Sequence, residues 1–221
     1  MIATKQELLT PTEAAVVSGV SVRNVNRAID EKLLPESLFE IGRKGSRQLN
    51  ADACIFISFY FEAANRLASE ERLRIIATAS SQLPEVQTRD LEKKWIIRQE
   101  FLSVDLAPFL KSVQQRLAKL HSARALVVED PEILSGTPVI GGTRVPVHDI
   151  AAMAAAGVPT DRILEDYPRI SAEAVELATL YAAANPLQGR PQRLKTLPAG
   201  AVIIAHHSVP ARDTLVEKLA S

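Results

Sequence analysis

Thr10-Pro11-Thr12-Glu13-Ala14-Ala15-Val16-Val17-Ser18-Gly19-Val20-Ser21-Val22-Arg23-Asn24-Val25-Asn26-Arg27-Ala28-Ile29-Asp30-Glu31 holds two helix starts only eleven residues apart. Thr10 caps a helix, Pro11 sits where its missing N–H costs nothing, and Glu13 completes a capping box. Gly19 ends this short helix. Ser21 caps a second one, from Val22 to about Glu31, with Val22, Val25 and Ile29 expected on its buried face. Two short helices joined by a tight, glycine-containing turn make a helix-turn-helix pattern. The opposite face carries Arg23, Asn24, Asn26, Arg27 and Asp30, with Ser21 at its start. Arginine suits guanine edges and asparagine suits adenine edges in the major groove, so DNA is the expected ligand.

Working outward, Leu38-Phe39-Glu40-Ile41 and Gln48-Leu49 flank the tip Gly42-Arg43-Lys44-Gly45-Ser46-Arg47. Apolar alternation around a basic, glycine-rich tip predicts a hairpin whose Arg43, Lys44 and Arg47 reach phosphates as a wing. Asn50 then caps another helix through Ala51-Asp52-Ala53. The order helix, turn, helix, basic wing, helix resembles the N-terminal domain of MerR-type regulators, and that resemblance implies DNA binding over residues 1–68.

The whole chain has 221 residues, 26 basic against 26 acidic, and 47% hydrophobic residues, which suits one or two small domains with ordinary cores. A lone cysteine, Cys54, excludes a disulfide framework and a thiol metal cluster. The apolar stretches fall short of a membrane span, and the first residues lack the apolar centre of a signal peptide, so a cytoplasmic protein is expected. Zero net charge hides a segregation: residues 126–186 hold nine acidic and three basic residues, while 187–221 hold five basic and two acidic. An acidic block followed by a basic tail points to two surfaces with different partners.

Residues 69–125 read as a helical bridge. Ser69-Glu70-Glu71-Arg72 opens a helix expected to end at Pro84, and Trp95-Ile96-Ile97 and Phe101-Leu102-Ser103-Val104 have β character. Leu106, Leu110, Val113, Leu117 and Leu120 recur at helical spacing, a stripe that is either core or a seam pairing two subunits. His121 is expected as a cation at that helix's end.

Residues 126–186 carry the most specific signature. Pro138-Val139-Ile140 and Thr143-Arg144-Val145 read as two short strands around Gly141-Gly142, a pair that suits a turn needing positive φ twice. Helices follow from Pro146 to Gly157, from Thr160-Asp161 to Pro168, and from Ser171 to Asn185. The core Gly136-Thr137-Pro138-Val139-Ile140-Gly141-Gly142-Thr143-Arg144-Val145-Pro146-Val147, then Leu164-Glu165-Asp166-Tyr167-Pro168-Arg169-Ile170-Ser171, resembles the small antitoxin domain known as domain of unknown function 433. Behind a helix-turn-helix, the whole resembles a VapB-type antitoxin. That resemblance implies a winged-helix-like C-terminal domain, autorepression, and neutralisation of a PIN-like ribonuclease toxin. The acidity of this segment repels phosphates, so it is assigned to dimerisation or protein contact. Arg144 either orients the hairpin or is a solvated surface arginine, and His148 is an ordinary helix histidine.

The tail, 187–221, has no acidic residue before Asp213, and its glycines and prolines disfavour regular structure. It is either an unstructured end or a toxin-binding arm, in which Arg190, Arg193, Lys195 and Arg212 enter a carboxylate-lined nuclease cleft. The chain shows no phosphate-loop, zinc-protease or nucleophile-elbow motif, so no catalytic residue, metal or cofactor is expected. The fold class expected is mainly α with short β hairpins: an N-terminal winged helix-turn-helix, a helical bridge, a small antitoxin domain and an extended tail. The partners expected are operator DNA, the toxin and a second copy in a homodimer. The alternative function is a stand-alone MerR-like transcription regulator with a C-terminal sensor or interaction domain.

Overall fold

The computed structural model describes residues 7–43, 45–87 and 94–187, and the chain there is mainly helical with a few short antiparallel sheets. The order begins β1 (Leu8–Leu9), α1 (Pro11–Ser18), α2 (Val22–Asp30), β2 (Phe39–Ile41), β3 (Arg47–Asn50), α3 (Ala51–Glu62) and α4 (Ser69–Gln87). It continues β4 (Ile96–Gln99), β5 (Leu102–Asp105), α5 (Ala107–Leu126), β6 (Val127–Val128), β7 (Val139–Ile140), α6 (Val147–Ala155), α7 (Thr160–Asp166) and α8 (Ala172–Ala184).

Local capping sets most of these boundaries. The side chains of Thr10, Ser21, Asn50 and Ser171 accept from the backbone N–H three residues on, starting α1, α2, α3 and α8. Gly19 closes α1 in the left-handed conformation, φ +74°. The first sheet has the order β1-β3-β2, with Leu9 opposite Leu49 and Phe39 also opposite Leu49.

Two apolar cores form. The first gathers Leu9, Val17, Val25, Ile29 and Leu49 with Phe56 and Phe59 of α3, Ile75 and Ile76 of α4, Trp95 and Ile97 around β4, and Leu106, Val113 and Leu120. Phe56 and Trp95 meet edge to face at 6.1 Å between ring centroids. Fully burying a side chain of this size contributes roughly 1.5–3 kcal/mol. The second core holds Ile140, Val147, Ile150, Ile163, Val175 and Ala178 under Ala123 of α5.

Val22 is exposed, and Ala28 lies inside with Val25 and Ile29, the i, i+3, i+4 set of one helix face. Pro84 does not end α4, which runs on to Gln87. One missing N–H near a helix end removes a single bond. Thr143–Val145 is not a strand, but the hairpin around Gly141-Gly142 does return onto β7: Ile140 N–H donates to the Val145 carbonyl at 3.0 Å and Val139 bridges Pro146 antiparallel. On its other side β7 pairs with β6, Val127 opposite Ile140 and Val128 opposite Val139. The turn after β7 needs positive φ only at Gly142, +73°. A single positive φ at the third position of a turn is type II geometry, not a primed hairpin.

The leucine stripe is core. Leu106, Val113 and Leu120 are at most 2% exposed, and Leu110 and Leu117 pack against the same cluster, so the chain itself covers the stripe. α5 also runs past His121 to Leu126, which puts that histidine inside the helix. Among the described residues, no helix is long and apolar enough to cross a membrane.

Candidate nucleic-acid interface

The first core forces α2 to face outward on one side. With Val25, Ala28 and Ile29 inside, the helix leaves Ser21, Arg23, Asn24, Asn26, Arg27, Asp30 and Glu31 lining one open, shallow hollow. The sequence-predicted residues of α2 therefore share a surface.

The hairpin stands beside this face and is bonded to it. Arg47, at the start of β3, donates from Nη1 to Asn26 Oδ1 at 2.9 Å and from Nη2 to Asp30 Oδ1 at 2.6 Å. Arg47, expected at a phosphate, thus joins hairpin to helix. Asn26 has its acceptor oxygen engaged and keeps its amide hydrogens for a ligand. Arg27 pairs with Glu31 at 2.9 Å, leaving Arg23 and Arg43 as the exposed arginines of this surface without an ion pair among the described residues. The tip turns through Gly45 at φ +75°, with Gly42 N–H donating to the Ser46 carbonyl at 2.7 Å. Lys44 lies outside the described residues.

Sequence reasoning missed the supports behind this face. Glu13, which closes the cap on Thr10, also accepts from Arg124 of α5 at 2.7 Å. Arg124 donates to Glu7 as well, and His121 Nε2 lies 2.6 Å from the other oxygen of Glu7. Burial opposes the charge on Glu7, but the hydrogen bonds from His121 and Arg124 outweigh it and hold its carboxyl below the usual range. Arg116 of α5 donates to the Ser18 carbonyl at 3.1 Å, across 98 residues of sequence. No local pattern signals such a contact.

The C-terminal segment presents different chemistry. Tyr181 donates to Glu129 at 3.1 Å, and burial foremost, with that bond behind it, pushes the phenol up to about 12. His148 Nε2 bonds the Asn185 carbonyl at 2.9 Å, which anchors α6 to the end of α8. Arg144 is exposed and pairs with no described carboxylate. No group of three or more His, Cys, Asp or Glu among the described residues is placed to hold a metal ion. Arg190, Arg193, Lys195 and Arg212 lie outside the described residues.

Known proteins give this picture a family. Residues 127–182 match the family described as "Protein of unknown function (DUF433)". Across 210 residues, 93% of this chain and 94% of the relative, the sequence is 47% identical to the uncharacterized protein y4eO of Sinorhizobium fredii (strain NBRC 101917 / NGR234). The chain belongs to the family of y4eO, with a C-terminal DUF433 domain. The X-ray crystal structure of Rv2018 from Mycobacterium tuberculosis is similar over 77% of this chain and 96% of that one, at 16% identity and a TM-score of 0.31.

Proposed function

We propose that this chain is a DNA-binding repressor and the antitoxin of a type II toxin-antitoxin module. In this reading α1, α2 and the β2–β3 hairpin form a MerR-like winged helix-turn-helix, and the partner neutralised is a PIN-like ribonuclease encoded beside it. The observation that carries the DNA half is the shared outward face of Ser21, Arg23, Asn24, Asn26 and Arg27, with the Arg43 hairpin braced against it through Arg47. That face offers the donor set that reads base edges, beside a cation placed for the phosphates.

The antitoxin half is supported by the likeness of residues 127–182 to DUF433 and by the acidic-then-basic charge order of the C-terminal part. Binding as a homodimer to half-sites about one helical turn, ~34 Å, apart belongs to the same proposal. The leucine stripe does not supply the dimer seam. No chemistry by this chain is invoked; it acts by binding.

The test has two arms. Selection from a random duplex pool should enrich one sequence, and sedimentation with that duplex should show two copies per site. RNA cleavage by the neighbouring nuclease should stop when this protein is added. A specific duplex without nuclease inhibition leaves a stand-alone regulator, and no enriched sequence removes the DNA reading.

A further inference from the structure

One later helix grips α1 at both of its ends. At the C-terminal end, Arg116 of α5 donates from Nη1 to the Ser18 carbonyl at 3.1 Å. That carbonyl is among the last four of α1, which the helix itself leaves unbonded. The last turn of α1 has no basic residue of its own, so Arg116 supplies the cation that the negative end of the helix dipole favours. The same guanidinium covers Gly19 so closely that a Cβ there would stand 2.6 Å from Nη1 and 2.7 Å from Cζ. Gly19 is therefore required for its φ of +74°, and a Cβ there would in addition push the flexible end of the Arg116 side chain off the turn.

At the N-terminal end, Arg124 binds Glu13 at 2.7 Å and also Glu7. Arg116 meets the end of α1 and Arg124 its start, so the two helices run antiparallel with a cation at each end of the shorter one.

The turn that Arg116 covers is where the chain departs for α2. A helix of nine residues is about 13 Å long, so a swing of about 10° at its root displaces its far end by about 2 Å. Hydrogen bonds to base edges fail over a smaller displacement, since they hold only within a few tenths of an ångström of about 2.9 Å. Contacts to the phosphate backbone are longer-ranged and sequence-independent, and tolerate such a swing.

We propose that Arg116 is a positioning residue for sequence-specific DNA binding. It fixes the angle at which α2 leaves α1 by holding the Ser18 carbonyl and filling the space over Gly19. The inference rests on α2 as the DNA-contacting helix. It adds that α5 helps set the aim of α2, beyond the packing of the helix pair on the core.

The experiment uses the full chain and the duplex that the unaltered protein enriches from a random pool, with a scrambled duplex beside it. R116A should lose about tenfold in affinity for the enriched duplex. Its affinity for the scrambled duplex should stay within about twofold, and its salt dependence should be unchanged. R116K, which keeps a donor and a charge, should recover most of the loss. In R116A, amide exchange at Gly19 and Val20, whose N–H groups donate to the Ala15 carbonyl, should speed up while exchange in α3 does not.

Should R116A fail to fold, R116M keeps the stem over Gly19 without the donor or the charge, and carries the same expectation. The positioning role is overturned if the folded variant binds both duplexes as the unaltered chain does, or loses both equally. If the unaltered chain enriches no sequence, the DNA reading itself is what fails.

Discussion

Single side chains on the α2 face divide into those already committed and those left for a ligand. Arg23 is exposed without an ion pair among the described residues, while Arg27 and Arg47 are held by Glu31 and Asp30. Exposed pairs of this kind contribute only about 0–1 kcal/mol, so a phosphate can displace the carboxylate. E31Q should therefore tighten binding to every duplex, because Arg27 no longer has to leave a carboxylate and a like charge beside the phosphates is gone. R23A should act oppositely, costing on the order of 1–3 kcal/mol and relaxing preference at one base pair. Titrations at two salt concentrations with specific and scrambled DNA separate the two. A uniform loss in R23A would make Arg23 a phosphate contact. Cys54 gives a test of packing at the same scale. Burial foremost, with the nearby charge of Asp52, pushes its thiol up to about 12. Only the thiolate reacts quickly, so a thiol reagent at pH 8 should leave the native chain unmodified and label it fully in denaturant. Rapid labelling of the native chain would mean that α3 is not packed as described.

At the scale of elements, α1 depends on carboxylates that belong to its cap and to α5 together. Glu7 is held charged below its usual range, so it favours the folded state above pH of about 4.5 and loses that contribution as pH falls through its lowered value. The first turn of α1 should loosen in acid before the second core does. Amide exchange followed from pH 6 to pH 3 should show it in residues 10–14 first, and E7Q should remove the difference. Simultaneous loosening of α6 and α8 would assign the acid sensitivity elsewhere. Tyr181 sets the opposite limit: its raised value makes the folded state favourable below pH 10, a contribution lost as pH climbs toward 12. What the sequence disclosed about these elements follows from range. Thr10, Glu13, Ser21, Asn50 and Ser171 act on backbone three residues away, so the starts of four helices were legible. The period of Leu106, Val113 and Leu120 declared them buried without saying by what, since a helical stripe looks the same against its own core or a second copy. Gly141-Gly142 suggested a hairpin to the next residues. That return is present, with Val145 and Pro146 bonded back to β7, but the strand that pairs with β7 is β6, and the sequence between 128 and 139 carries no mark of that pairing. Arg47 with Asn26 and Arg116 with Ser18 join residues 21 and 98 positions apart, beyond any local pattern.

Over the whole molecule, α5 and α8 carry the weight of organisation. α5 lends Val113 and Leu120 to the first core and Ala123 to the second, while Leu180 of α8 packs against both. The α2 face proposed to meet DNA and a domain of the DUF433 family are thus built on shared helices, and the basic residues 190–212 follow the second of them in sequence. This order assigns separable tasks. A chain ending at Leu187 keeps α1, α2, the hairpin and both cores, so it should bind the selected duplex within about twofold of the full chain. It loses Arg190, Arg193, Lys195 and Arg212, the cations proposed to enter a carboxylate-lined nuclease cleft. Inhibition of the neighbouring nuclease should therefore fall by at least about tenfold, because a tethered basic segment acts at high effective concentration once another surface is docked. Reversing two charges, Arg190→Glu with Arg193→Glu, should mimic the truncation, since like charges repel at short range even in water. RNA cleavage measured with full-length, shortened and charge-reversed protein decides between the outcomes. If the shortened chain inhibits as well as the intact one, the cations of the tail are not the inhibitor. The acidic segment 126–186 then becomes the surface that meets the nuclease, and its partner must present cations there, not a cluster of carboxylates.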